Sequence, residues 1–292
     1  MGMNLRRRAL TALLGALITP LAPTASAQGA ERVVAIGGAV TEIVYELGRG
    51  DWLVAADSTS THPAAADELP DVGYMRQLSA EPILSLDPDL VVAVADAGPP
   101  VVFDKLRSAG VTITRVPDAT TPEGVIDKVT TVARALDVPE RGQSLARRLE
   151  TRFESLGRVI RTVEDRPDAL VLIAAGAGNI MAAGRETSAA GILELAGARQ
   201  AIDGYTGYRP LSAEAVVAAE PDWIVLTQSA LSSLGGRDGV RSHPALGATP
   251  AARAGNIAPL DGLLLLGFGP RTPAAASRLA SRLHPGLPVG EE

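Results

Sequence analysis

Short apolar runs and helical patterns alternate along most of the chain. Residues 32–36 form the first candidate strand, broken by Gly37-Gly38. Thr41 then caps a helix that runs through Leu47 and ends at Gly48. Further strands fall at 52–56, 90–94 and 111–116, with helices at 79–86, 101–109 and 122–136. Such alternation predicts a parallel sheet covered on both faces. Residues 57–72 are polar and contain Pro63 and Pro70, so they read as a loop.

The longest helical signal follows. Leu145, Leu149, Phe153, Leu156, Ile160 and Val163 recur in steps of four and three, which marks one helical face. Pro139 opens this segment and Pro167 closes it. A helix over 140–164 would be roughly 37 Å long at 1.5 Å per residue, enough to cross from one domain to another. Its other face carries Arg147, Arg148, Glu150, Arg152, Glu154 and Arg158, a solvated surface. After Pro167 the alternation restarts. Strands are expected at 169–175, 223–227 and 257–259, and helices at 188–196, 212–219 and 273–283. Residues 176–184 are Gly-rich, and 231–254 look loop-rich.

One stretch occurs twice. Residues 78–92 align with 211–225 at a constant offset of 133, with seven of fifteen positions identical. Both copies read as a capped helix, a Pro-Asp stop and a buried strand. The repetition predicts two α/β lobes of similar, Rossmann-like architecture flanking the long helix. The expected division is 28–137, 138–166 and 167–292. A gap between two such lobes is a natural ligand site.

The first 27 residues stand apart from that fold. Arg6, Arg7 and Arg8 precede an apolar run over 9–18, and Ala25-Ser26-Ala27 is a small-residue cleavage site. This is the pattern of a secretory signal peptide cut before Gln28. The chain has no cysteine, which excludes a lipobox, disulfides and thiolate chemistry together. A soluble, monomeric periplasmic protein is expected. Removing residues 1–27 takes three Arg and no acid, so 24 basic residues face 33 acidic ones and the formal charge moves from −6 to −9. An acidic exported protein is a poor binder of nucleic acid.

Enzymatic signatures are missing. There is no P-loop and no G-x-S-x-G elbow, and Gly176-Ala177-Gly178 lacks the third glycine of a dinucleotide fingerprint. His62, His243 and His284 are far apart, without a zinc motif. A binding protein fits better than an exported α/β enzyme. Residues 73–81, Gly-Tyr-Met-Arg-Gln-Leu-Ser-Ala-Glu, then draw attention, because the chain has only four tyrosines. In an extended loop Tyr74 and Arg76 would point to the same side. The guanidinium could reach the phenol oxygen and favour its ionised form, a hard anionic ligand.

This layout resembles the periplasmic solute-binding proteins that serve ABC importers for vitamin B12, iron–siderophores and haem. Residues 73–81, Gly184-Arg185, residues 207–214 and residues 266–272 (Leu-Gly-Phe-Gly-Pro-Arg-Thr) are similar to the haem-binding subgroup. The resemblance covers essentially the whole mature chain. It implies class III architecture, with two α/β lobes joined by a single long rigid helix. It also implies haem as transported ligand rather than catalytic cofactor, with Tyr74 as phenolate ligand to ferric iron and Arg76 as donor to that oxygen. Arg209 and Arg271, with Tyr208 beside Arg209, would meet the haem propionates, and Met75 would pack on the macrocycle. Glu81 and Glu214, one per lobe, would dock on arginines of an inner-membrane permease driven by its ATPase. The stretch 174–183 has no His to act as a second iron ligand, so a five-coordinate iron is expected, with water or Asn179 nearby. The same absence disfavours two stacked haems. A ferric-siderophore or cobalamin binder of the same fold is the alternative.

Overall fold

The computed structural model describes residues 31–176 and 179–289. The expected signal segment and cleavage site lie outside the described residues. The N-terminal lobe comprises β1 (Val33–Ile36), α1 (Gly38–Glu46), β2 (Leu53–Ala56), α2 (Ala80–Leu84), β3 (Leu90–Val94), α3 (Pro100–Ser108), β4 (Thr112–Val116) and α4 (Pro122–Ala135). Its four strands are all parallel, in the order β2-β1-β3-β4. The two central strands, VVAI and LVVAV, are buried at every position. A sheet sandwiched between helices requires such unbroken apolar runs.

The helix after β1 starts earlier than expected. Gly37, at φ 102°, turns the chain, and α1 begins at Gly38. Thr41 is therefore a buried helical residue that shares a 2.7 Å hydrogen bond with Ser60, not a cap. The turn is held from the side by buried Asp57. Its carboxylate accepts from the Gly37 N–H at 2.7 Å and from the Ser60 hydroxyl at 3.0 Å.

The long helix is α5 (Pro139–Ile160), which buries Leu145, Leu149, Phe153, Leu156 and Ile160 as expected. It stops one turn early: the Thr162 and Val163 N–H groups bond three residues back, to Val159 and Ile160, as the last turn tightens. α5 packs on α4 and on the last helix of the chain, Thr272–Leu283.

The C-terminal lobe comprises β5 (Asp168–Gly176), β6 (Asn179–Ala183), α6 (Ser188–Leu195), β7 (Arg199–Gln200), β8 (Tyr208–Leu211), α7 (Ala213–Ala218), β9 (Trp223–Thr227), α8 (Gln228–Ser233), α9 (Gly236–Ser242), α10 (Pro250–Ala254), β10 (Ile257–Leu260), α11 (Gly262–Leu266) and α12 (Thr272–Leu283). Its sheet runs β10-β9-β5-β6-β8, with β7 also on β5. β10, β9 and β5 are parallel, while β6 and β8 are antiparallel additions. The Gly-rich stretch thus hides a strand, and residues 231–254 contain helices rather than open loop. β8 carries Pro210, which an edge strand tolerates because no ladder N–H is required on its open side.

The repeated unit has the same backbone in both lobes. Asp87 (φ 47°) and Glu220 (φ 40°), offset by 133, both take the left-handed conformation after their helices. The following Asp ties the neighbouring strand at its start. The Asp89 carboxylate accepts from the Arg32 N–H at 3.0 Å, and that of Asp222 from the Asp168 N–H at 2.9 Å. The copies differ at the helix start. Ser212 accepts from the Ala215 N–H at 3.2 Å, whereas Ser79 makes no side-chain cap. The residue three after Ser79 is Pro82, which has no N–H to give.

The C-terminal sheet has a core of its own, around Leu170, Leu172, Ile224 and Leu226, and a larger one spans the junction of the lobes. The larger cluster of buried apolar residues joins β1, β3, α4 and α5 to Ile192, Phe268, Ala276 and Leu279 of the C-terminal half. Polar groups reinforce the junction. The buried Lys128 ammonium donates to the Gly267 carbonyl at 3.1 Å. The Arg271 guanidinium forms an ion pair with Glu42, with Nε 2.9 Å from Oε1.

Candidate functional site

Residues 73–77 form a turn, not the extended segment expected. The Gln77 N–H donates to the Tyr74 carbonyl at 2.8 Å, and Gly73, at φ 95°, reverses the chain just before it. The turn still brings the two side chains together: Arg76 Nη1 donates to Tyr74 Oη at 2.7 Å. Tyr74 is 40% exposed, one of the few large apolar side chains left open to solvent. Arg76 also forms an ion pair with Asp96. Burial works against the guanidinium charge, but the Tyr74 hydrogen bond and the Asp96 charge outweigh it and hold Arg76 more firmly protonated.

A second loop fixes the first. The Gly98 N–H donates to the Met75 carbonyl at 2.9 Å, and the Leu78 N–H donates back to the Gly98 carbonyl at 3.0 Å. Arg115 donates to the Ala95 and Ala97 carbonyls, the latter at 2.9 Å, and lies 4.1 Å over the Phe103 ring. The Met75 side chain is half-buried and packs against the core, with its sulfur 4.0 Å from the Thr59 hydroxyl.

In the C-terminal lobe Tyr208 is half-buried and packs against the core. Burial pushes its phenol up; the Ala189 N–H, the Thr187 and Ser188 hydroxyls and the charge of Arg76 pull it back. Arg209 is exposed and lies 5.5 Å from the Tyr205 ring centre, and it makes no ion pair among the described residues. Arg271 is held by Glu42, itself only 4% exposed. Burial pushes the Glu42 carboxyl up against the opposing pull of Arg271.

Glu81 and Glu214 are both exposed in the first turns of their helices. Glu81 lies 3.9 Å from Lys105 Nζ, a loose surface pair. Its own N–H and the Ser212 hydroxyl hold the Glu214 carboxyl below the usual range. The His243 ring accepts from the Ala245 and Leu246 N–H groups, each at 3.3 Å, so it serves its turn. The Asn179 side chain and residues 177–178 lie outside the described residues. A groove of about 500 Å³ between α5 and α12 includes none of the expected ligand residues.

Asp96, Arg115, Lys128 and Glu42 belong to this neighbourhood and were not anticipated from the sequence. Lys128 is nearly fully buried, and desolvation pulls its ammonium down to about 8 against the charges of Asp118, Asp96 and Glu42. Glu42 was the most detectable of the four, an acid within the apolar helix pattern of 38–47.

Two α/β lobes on one long helix define a class III solute-binding protein. The chain belongs to the periplasmic binding protein family, whose profile matches residues 33–262. It is similar to the solved structure of the periplasmic haem-binding protein BhuT in complex with two haems. The two are 40% identical with a TM-score of 0.82, over 86% of this chain and 97% of that one. The uncharacterised ABC transporter substrate-binding lipoprotein YvrC of Bacillus subtilis is 25% identical over 87% of this chain and 80% of its own length. The vitamin B12-binding protein of Vibrio cholerae is 35% identical over 127 residues, 44% of this chain and 46% of its own length. The protein is therefore an exported substrate-binding protein of an ABC importer, and not an enzyme.

Proposed function

We propose that this protein captures haem between its lobes and delivers it to an inner-membrane ABC permease. The observation that carries the reading is the Arg76–Tyr74 contact of 2.7 Å on an exposed phenol. Arg76 already donates to the oxygen that would bind a ferric iron, so its charge stands beside that of the phenolate formed there. The resulting phenolate is a hard ligand suited to Fe(III) haem. Arg209, exposed and free of ion pairs among the described residues, is the rim donor for a propionate, with Tyr208 beside it. Arg271, bound to Glu42 across the lobes, reaches a propionate only by sharing its guanidinium. Met75 supports the loop from beneath, next to the macrocycle.

Hemin titration tests the reading. The protein as exported should develop a Soret band that saturates with added hemin and shows a high-spin, tyrosinate-type spectrum. Equimolar cyanocobalamin or a ferric siderophore should not displace it. The V. cholerae similarity keeps cobalamin as the second reading, and tight cobalamin binding without hemin uptake would establish that one instead.

Glu81 and Glu214 form the docking pair for the permease, one on each lobe. Changing either to Lys should slow haem import into cells about tenfold, the cost of placing like charges face to face. Hemin affinity of the purified variants should stay unchanged. Normal import by the Glu81→Lys, Glu214→Lys double variant would remove both residues from the interface.

A further inference from the structure

We propose that Asp96 is a positioning residue for the site: it fixes the Arg76 guanidinium so that one nitrogen is presented to the Tyr74 oxygen. The inference rests on the reading of Tyr74 as the ligand. Arg76 is half exposed, and its side chain has enough free torsions to leave the phenol for solvent. Its planar fork is instead held at two points, with Nη2 on the Asp96 carboxylate and Nη1 on Tyr74 Oη. Fixing one nitrogen of a rigid fork sets the direction of the others.

Asp96 can serve as an anchor because its own loop is fixed. Arg115 clamps the carbonyls on either side of it, Ala95 and Ala97, and is itself seated on Phe103. The reciprocal bonds of Gly98 with Met75 and Leu78 join that loop to the ligand loop. Tyr74, Arg76 and Asp96 therefore sit on one frame, although Asp96 is 20 residues from Arg76 in sequence. An isolated surface ion pair contributes little to stability. This pair differs in what its other end holds, and its effect is on the geometry at the phenol rather than on folding.

Asp96→Ala and Asp96→Asn separate these roles, because Asn keeps an acceptor oxygen for Arg76 and Ala does not. The first readout needs no haem. The Arg76 guanidinium N–H signal of the isotope-labelled apoprotein, assigned with Arg76→Lys, should be sharp in the wild type, broadened in Asp96→Ala and restored in Asp96→Asn. The second is hemin transfer to apomyoglobin. Release should accelerate roughly three- to tenfold in Asp96→Ala, the scale of one hydrogen bond, and recover most of the way in Asp96→Asn. The phenolate-to-iron charge-transfer band should shift in the same order. An Asp96→Ala protein with a wild-type Arg76 signal and wild-type release would overturn the proposal. So would faster release in both variants with the Arg76 signal unchanged. Failure of the wild type to take up hemin would instead sink the haem reading, and the apoprotein signals alone would then decide the role of Asp96.

Discussion

Tyr74→Phe is expected to lose hemin affinity by about 100-fold or more, since loss of even a supporting residue around a metal costs 10–100-fold. The ring and its packing survive this change and only the oxygen goes. Phe cannot donate to iron, and Arg76 keeps Asp96 but has no phenol to hold. The Soret band of any residual complex should lose its tyrosinate character. Folding should be close to wild type, because Tyr74 is 40% exposed and contributes little to the core. Equilibrium hemin titration alongside thermal melts checks both halves. An unchanged tyrosinate-type spectrum in Tyr74→Phe would move the ligand elsewhere, with Tyr208 and Tyr205 the next phenols to test.

Arg271→Ala is expected to cost stability instead. Glu42 is 4% exposed, and Arg271 is the guanidinium paired with it from the other lobe. Breaking a buried pair from one side costs about 3–5 kcal/mol, and the low end applies here because Arg271 is 30% exposed. For a protein of this size that is a fall in Tm of roughly 6–12 °C. The loss should depend on pH. Burial raises the Glu42 carboxyl above its value in the unfolded chain, and removing Arg271 takes away an opposing pull. The folded state then binds the proton more tightly than the unfolded state. Stability is retained below the unfolded value of 4.5 and falls as pH rises through the folded one. The deficit of Arg271→Ala should therefore be largest at neutral pH and shrink on acidification. Adding Glu42→Gln, which leaves no charge to strand, should recover much of it. Melting curves across pH for the single and double variants test this. A deficit independent of pH would mean that the pair does not hold the junction.

The central framework was legible because it depends on patterns that survive translation into structure. A parallel strand buried on both faces must be apolar throughout, so β3 was readable to the residue from Leu90 to Val94. The 133-residue offset was informative because both copies obey the same backbone demands, down to the left-handed Asp87 and Glu220. What escaped was carried by non-local pairing. β6 alternates Ile180 and Ala182 inward, but its short, small-residue run next to glycines gave a weak period. β8 was not among the expected strands, and its Pro210 is acceptable because of the edge position. At the site, Tyr74 and Arg76 were visible as a pair, two residues apart. Asp96 was one acid among 33, and nothing local linked it to Arg76. Arg271 shows a different limit. A motif can single out a residue without showing that its charge also pairs with a buried carboxylate on the other lobe.

The most direct measurement is a crystal structure of the hemin complex with anomalous scattering at the iron edge. The account predicts iron in the gap between the lobes, bonded to Tyr74 Oη, with Arg76 still donating to that same oxygen. Iron coordinated by any other side chain, with Tyr74 left free, would contradict it.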